Sequence, residues 1–316
     1  MDYRGYFRQE LEALENGTIE RVTVIRGENT GLEILSDGEN IIATNRPPLC
    51  DDFSSTISET IQATPHIVMF GSGHIAKALY DLCCLQGLPT TVIDPRPEMN
   101  SSERFPKASR YITEYDCVPD EISRIFNPYF CIFTHAHLKD LEALEYLLEN
   151  RPAAPYIGMI GSKNKIEQVY SKAEEHGFER EELERVHAPI GLEIGGDTPQ
   201  EIAISIMAEI ISTYSRRRHV HTIDIPFLEK LTEQREGVLL RIVSKSGSGP
   251  RAVGTMMLVT QDGHEGTIGG GELELKVIED ARSLERETEI RHYGLDSEDL
   301  KMACGGEVDI LFQKLD

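Results

Sequence analysis

"PHIVMFGSGHIAKALYDLCCLQGLPTTVIDPRPE", residues 65–98, decides the fold. A short apolar strand enters a Gly-x-Gly turn, a helix follows with apolar positions at helical spacing, and a second strand ends in an acid. That is one βαβ unit. Gly71 allows the tight turn, Gly73 lets a pyrophosphate approach the helix amino end, and Ala76 fills the small third position where helix and strand touch. Asp94, 23 residues beyond Gly71, is placed to accept hydrogen bonds from a ribose diol. Arg96 would stack on adenine or meet a 2′-phosphate, so NAD and NADP both stay open. The turn alone is a weak signal. With strand, helix and acid in register it predicts an α/β, Rossmann-like parallel sheet, a fold that can keep the turn and lose NAD(P).

Downstream, "PYFCIFTHAHLKDLEALEYLLE" predicts a buried strand, a loop and a helix. His135 and His137 share one face if the strand continues through them, at the carboxyl edge where open α/β sheets bind ligands. They read as a metal pair, as an acid-base pair for a nicotinamide-dependent oxidoreductase, or as polar residues closing a turn, with Asp140 favouring the helix amino end. Gly161, Ser162 and Lys163 offer either an anion grip or an ordinary turn. In "GDTPQEIAISIMAEII", Thr198, Pro199 and Glu201 predict a helix start with a capping box, and Ile202, Ile206, Met207 and Ile210 a packing stripe.

Composition bounds the function. At 316 residues and 40% hydrophobic content the chain suits two domains. Thirty-two Lys and Arg against fifty-four Asp and Glu give a net charge of −22, which argues against nucleic acid or an anionic membrane as main partner. The amino terminus is patterned like an amphipathic helix and lacks the apolar core of a secretory signal. Six cysteines without a CxxC pair fit a reducing cytoplasm.

A domain boundary is expected near 216–226, where "TYSRRRHVHTIDIP" is charged and aperiodic. The linker surroundings predict solvent exposure for His219 and His221. Beyond it, "SGSGPR" and "IGGGELE" fall where strands would end, and each can turn backbone N–H groups toward one spot as an anion nest. Arg251 and Lys245 would bring positive charge, with Ser248 in the same loop and Gly269, Gly270, Gly271 and Glu272 opposite. Cys304, beside Gly305 in a glycine turn, would offer a soft thiolate to a metal or a sulfur carrier. The competing reading is a β-module that needs glycine for bulges and corners.

Residues 7–27, laid on 227–247, match at Phe7/Phe227, Leu11/Leu231, Gly17/Gly237, Arg21/Arg241 and Gly27/Gly247. Five matches also arise by chance. If they mark descent, the first segment is a copy that kept the frame and lost the glycine loops. The expected organisation is a small β-containing segment over 1–60, a Rossmann-like domain over 61–215 and a smaller α+β module over 222–316.

The stretches "SGSGPRAVGTMMLVTQDGHEGTIGGGELE", "MACGGEVDILF", "VMFGSGHIAKAL", "VIDPRPE", "THAHLKDLEAL", "YIGMIGSK" and "PIGLEIGGDTPQEIAISIMAEI" resemble the XdhC/CoxI family of xanthine dehydrogenase accessory factors. The resemblance implies a cytoplasmic, dimeric cofactor chaperone. It would bind molybdenum cofactor, protect it during sulfuration, where a cysteine desulfurase is the expected sulfur source, and hand it to an apo molybdenum hydroxylase. In that family the glycine-rich module usually precedes the Rossmann domain. Here it follows.

Overall fold

The computed structural model describes residues 2–151, 154–215, 220–247, 251–295 and 305–315. The chain divides into two units, Thr64–Arg218 and a second made from both ends, Met1–Ala63 with His219–Asp316.

The amino-terminal part carries α1 (Tyr3–Leu14), β1 (Ile19–Val24), β2 (Glu33–Ser36), β3 (Ile41–Thr44) and β4 (Thr56–Ala63). Asp2 caps α1 through the Gly5 N–H, satisfying one of the amides a helix start leaves unpaired. Tyr3, Tyr6, Phe7 and Leu14 are buried.

The central unit contains β5 (His66–Phe70), α2 (His74–Gln86), β6 (Thr90–Ile93), β7 (Ser109–Tyr111), β8 (Pro128–Ile132), α3 (His137–Asn150), β9 (Tyr156–Met159), α4 (Lys163–Glu175), the single turn α5 (Arg180–Leu183) and α6 (Pro199–Ser215). Its five strands run parallel in the order β7-β6-β5-β8-β9. Alternate residues of one strand feed two cores. Val68 and Phe70 pack with Leu144, Leu147 and Val169 from α3 and α4, while Ile67 and Met69 pack with Leu79, Cys83, Ile206 and Ile210 from α2 and α6. Burial on both faces explains why β5 and β8 read as continuous apolar runs. Thr198 and Glu201 form the expected capping box, with N–H to side-chain distances of 3.2 Å and 3.0 Å.

The carboxyl-terminal part adds β10 (Val220–Ile223), α7 (Ile225–Glu233), β11 (Gly237–Gly247), β12 (Met256–Val259), β13 (His264–Gly266), α8 (Gly271–Arg282), β14 (Thr288–Gly294) and β15 (Gly306–Leu315). Two sheets result, ordered β10-β4-β1-β2-β3 and β13-β12-β11-β15-β14. Helix, strand, strand, strand and closing strand recur in one order, β4-β1-β2-β3 against β15-β11-β12-β13. The residues matched between the two segments occupy equivalent places. Gly17 and Gly237 precede or open β1 and β11 at positive φ (123° and 149°), and Gly27 and Gly247 follow or end them at 90° and 67°, a region where glycine escapes the Cβ penalty. Phe7 and Phe227 are buried in α1 and α7, which pack together.

One face of β11 (Val238, Leu240, Ile242) packs under α8 through Leu273, Val277 and Ala281. The other carries Arg241 into the first sheet. Its Nη2 donates to Thr23 Oγ1 at 2.7 Å and to the Glu33 carboxylate. Arg21, its counterpart in β1, donates to Glu10. Glu10, Arg21, Glu33, Glu59 and Arg241 are all buried, three acids against two guanidiniums inside one unit. Burial drives the Glu10 carboxyl above its ordinary range against the pull of Arg21.

Candidate functional site

The Rossmann turn is shaped first by the protein itself. Gly71 has φ 109°, and a Cβ there would lie 2.4 Å from the Phe133 carbonyl oxygen. Its glycine is required where the chain leaving β8 crosses the turn, whatever ligand binds. Gly73 caps α2 with open space on its Cβ side, and Ala76 is fully buried against the sheet.

Asp94 is also engaged internally. Its Oδ2 accepts the Ser72 N–H (2.9 Å), the Ser72 hydroxyl (2.8 Å) and Arg96 Nη2 (2.7 Å), while Oδ1 accepts Arg96 N–H (3.0 Å) and Nε (2.8 Å). Burial opposes ionisation, yet hydrogen bonds from Arg96 and Ser72 hold this carboxyl below its usual range. Five donors saturate the roughly four lone-pair positions of a carboxylate. The residue expected to receive a ribose diol therefore has no acceptor left for one, and Arg96, expected to face adenine or phosphate, grips the acid. In this arrangement the residues do not fit the ribose of NAD(P).

His135 and His137 are exposed beyond β8, His137 as the first residue of α3. Among the described residues no group of three or more His, Cys, Asp and Glu comes together as a metal site. Asp140, fully buried, orders that loop. It accepts from Thr134 Oγ1 at 2.6 Å and pairs with Lys165 Nζ at 2.5 Å. Lys163, the cation expected at this turn, is exposed.

The glycine nest exists, and a side chain fills it. Gly269, Gly270 and Gly271 take φ of 137°, 72° and 65°. The Gly270 N–H donates to Glu274 Oε2 at 3.0 Å and the Gly269 N–H to Thr267 Oγ1 at 3.1 Å, and the Thr267 hydroxyl donates to Glu274. Burial works against the Glu274 charge, but Thr267, the Gly270 and Ile268 amides and nearby His264 hold its carboxyl low. Of the amides expected to grip an external anion, those of Gly269 and Gly270 are thus engaged within the chain. The first turn of α8 brings its own acid back onto the glycines. Glu272, at the same helix start, is exposed, as is Gly305. Lys245 lies in β11 opposite Val308. Ser248 and Cys304 lie outside the described residues.

Arg251 has a different setting. It lines a cavity of about 370 Å³ together with Arg21, Glu59, His221, Gly254 and Gly266. Expected as an exposed linker residue, His221 instead belongs to β10, which runs parallel to β4, and its Nε2 is 3.8 Å from Glu59 Oε1. Gly254 shows how tightly this corner is built. At φ +89° it leaves room where a Cβ would meet Glu59 Oε1 at 2.6 Å and the His221 ring at 2.8 Å. Sequence reading missed Glu59 and His221, since each lies far along the chain from the loop it faces. The one available hint was the alternation that places Glu59 on the buried face of an otherwise apolar strand end.

Residues 67–210 match the family described as the XdhC Rossmann domain, and residues 231–294 match the XdhC and CoxI family. The Escherichia coli (strain K12) protein named uncharacterized protein YqeB is 32% identical over 147 residues, 46% of this chain and 27% of its own length. A Bacillus subtilis (strain 168) protein, named as a probable subunit of xanthine dehydrogenase, is 28% identical over 186 residues, 58% of this chain and 53% of its own. The chain thus spans about a quarter and about half of these two relatives. The crystal structure of a xanthine dehydrogenase from Bacillus halodurans aligns with a TM-score of 0.50 at 22% identity, covering 67% of this chain and 64% of that one, a likeness of fold.

Proposed function

Because this chain belongs to the XdhC/CoxI family, we propose that it is an accessory factor which binds molybdenum cofactor and supports its sulfuration and insertion into a xanthine dehydrogenase-type molybdenum hydroxylase. The observation that carries this reading is the cavity lined by Arg251. Arg251, Gly254 and Gly266 all fall inside the stretch matched to the family, and they meet Arg21 and Glu59, which come from outside it. A guanidinium fork suits a phosphate, and the remaining wall offers a carboxylate acceptor to a nitrogen heterocycle. Those groups fit a pterin that carries a phosphate. The Gly270 amide, held by Glu274, does not take part.

Bound cofactor would supply the molybdenum and dithiolene chemistry used by the client enzyme. This chain's residues bind it, orient it and keep water from it, a role that needs no turnover. Hydride transfer through the Rossmann unit gains no support, because Asp94 is saturated by Ser72 and Arg96.

The test is purification from cells that make the cofactor, followed by oxidation of bound pterin to its fluorescent form. Stoichiometric pterin in the wild type and its loss from Arg251→Ala are expected. Absence from the wild type, with no uptake on adding cofactor, would sink the reading.

A further inference from the structure

Glu59 and His221 are additions to the repeated frame. Glu59 stands opposite Arg21 across the β1–β4 ladder, whereas the position opposite Arg241 across β11–β15 holds Leu311. The strand that carries His221, β10, runs parallel to β4, whereas β14, at the corresponding edge of the second sheet, runs antiparallel to β15. The two additions meet. Glu59 is 3% exposed and both its carboxylate oxygens are sealed from solvent, so it acts as a counter-charge and not as a contact for a ligand. Arg241 Nη1 stands 3.6 Å from Oε2 and His221 Nε2 3.8 Å from Oε1. His221 differs from the buried members of this cluster in reaching the surface, at 23% exposure, and it lines the cavity with Arg251.

Charge in the cluster is uneven. Glu10, Glu33 and Glu59 face Arg21 and Arg241, three acids against two cations. A proton on His221 makes the two sides equal. Glu10, whose carboxyl burial drives up, is the other place for a proton, but it lies outside the lining of the cavity. Besides Glu59, the charged groups that this lining brings around His221 are Arg21 from β1, Arg251 from the loop before β12, Asp224 at the start of α7 and Glu265 from β13, the last paired with Lys230.

We propose that His221 is a proton-linked anion-binding residue of the cavity. An anionic group held by Arg251, of the carboxylate, phosphate or sulfate class, draws one proton from solvent onto the His221 ring, and Glu59 behind the ring balances the new cation. This deepens the cofactor reading above and rests on its assignment of the cavity. The coupling is reciprocal. Negative charge in the cavity stabilises the imidazolium and the imidazolium strengthens the hold on the anion, so affinity rises as pH falls through the histidine range.

The test titrates the full chain, stripped of small molecules, with sodium sulfate, whose charge is constant across this range, against sodium chloride at equal ionic strength. Sulfate should bind at least about five-fold tighter near pH 6 than near pH 8. In protein carrying nitrogen-labelled histidine, the ring signal that disappears in His221→Gln should titrate at higher pH in sulfate than in chloride. His221→Gln should bind sulfate weakly and equally at both pH values, whereas His221→Lys, a cation throughout, should bind it tightly at both. Arg251→Ala should weaken binding at both. Wild type without saturable sulfate binding, equal wild-type affinity at the two pH values, or a pH dependence that survives in His221→Gln or His221→Lys overturns the proposal. Should His221→Gln fail to fold, His221→Lys decides. Proton-linked sulfate binding by a wild type that copurifies with no pterin keeps this inference and sinks the accessory function. Copurifying pterin together with sulfate affinity that ignores pH does the reverse.

Discussion

Arg96 closes on Asp94 with two side-chain hydrogen bonds, Nε to Oδ1 at 2.8 Å and Nη2 to Oδ2 at 2.7 Å, and so the acid at the end of β6 is satisfied inside the protein. The first prediction follows from that pair. Wild-type protein should show no saturable binding of NADH or NADPH at millimolar concentration. Arg96→Ala should lower stability by about 1–3 kcal/mol, the cost of stripping donors from a buried charge. Nucleotide fluorescence and urea unfolding measure the two effects, and tight NADH binding by the wild type would refute the first.

Within the central unit, acid sensitivity should come from two carboxyls. The Asp94 and Glu209 carboxyls are both held below the ordinary carboxylate range. Burial opposes the charge in each. In Glu209 it is outweighed by His187, the Tyr156 hydroxyl at 2.6 Å and the Gly191 N–H at 2.8 Å. A carboxyl depressed in the folded state adds stability that is complete above its unfolded pKa and is lost as pH falls through the folded one. Melting temperature should therefore hold from neutrality to about pH 5 and fall below it. Asp94→Asn or Glu209→Gln should flatten that fall.

Arg241→Met removes the cation that Glu33 and Thr23 hold in the buried centre. A loss of about 3–5 kcal/mol is expected, because an uncompensated acid stays behind. Adding Glu33→Gln should recover a substantial part of it. Chemical denaturation of the two single variants and the double variant checks this, and strict additivity would contradict the coupling.

Glu274→Ala vacates the glycine nest. Stability should fall by about 0.5–2 kcal/mol, as for a lost helix cap, and the freed Gly270 amide should now take an anion. Phosphate should raise the melting temperature of Glu274→Ala more than that of the wild type. An equal response in both proteins would show that Glu274 does not guard these amides.

Local signals made much of the fold legible. Val68 and Phe70 alternate with Ile67 and Met69, the turn at Gly71 and Gly73 leads into α2, and Thr198 with Glu201 starts α6. Each depends on near neighbours and on periodicity, which a linear reading carries. The matched pairs Gly17/Gly237 and Arg21/Arg241 were also visible. Five identities alone could not separate descent from chance; what the structure adds is a strand order shared by the two segments.

The sequence by itself determined a parallel α/β unit, a glycine-punctuated β-module, an acidic surface and membership signals for one family, because these properties are written in composition and short-range pattern. Only tertiary structure decided which polar groups remain available. Ser72 and Arg96 saturate Asp94, Glu274 folds back onto Gly270, and Glu59 and His221, from different parts of the chain, come to face Gly254 together. Hydrogen-bond capacity and charge are properties of the group in its surroundings, and those surroundings are assembled by contacts between distant parts of the chain.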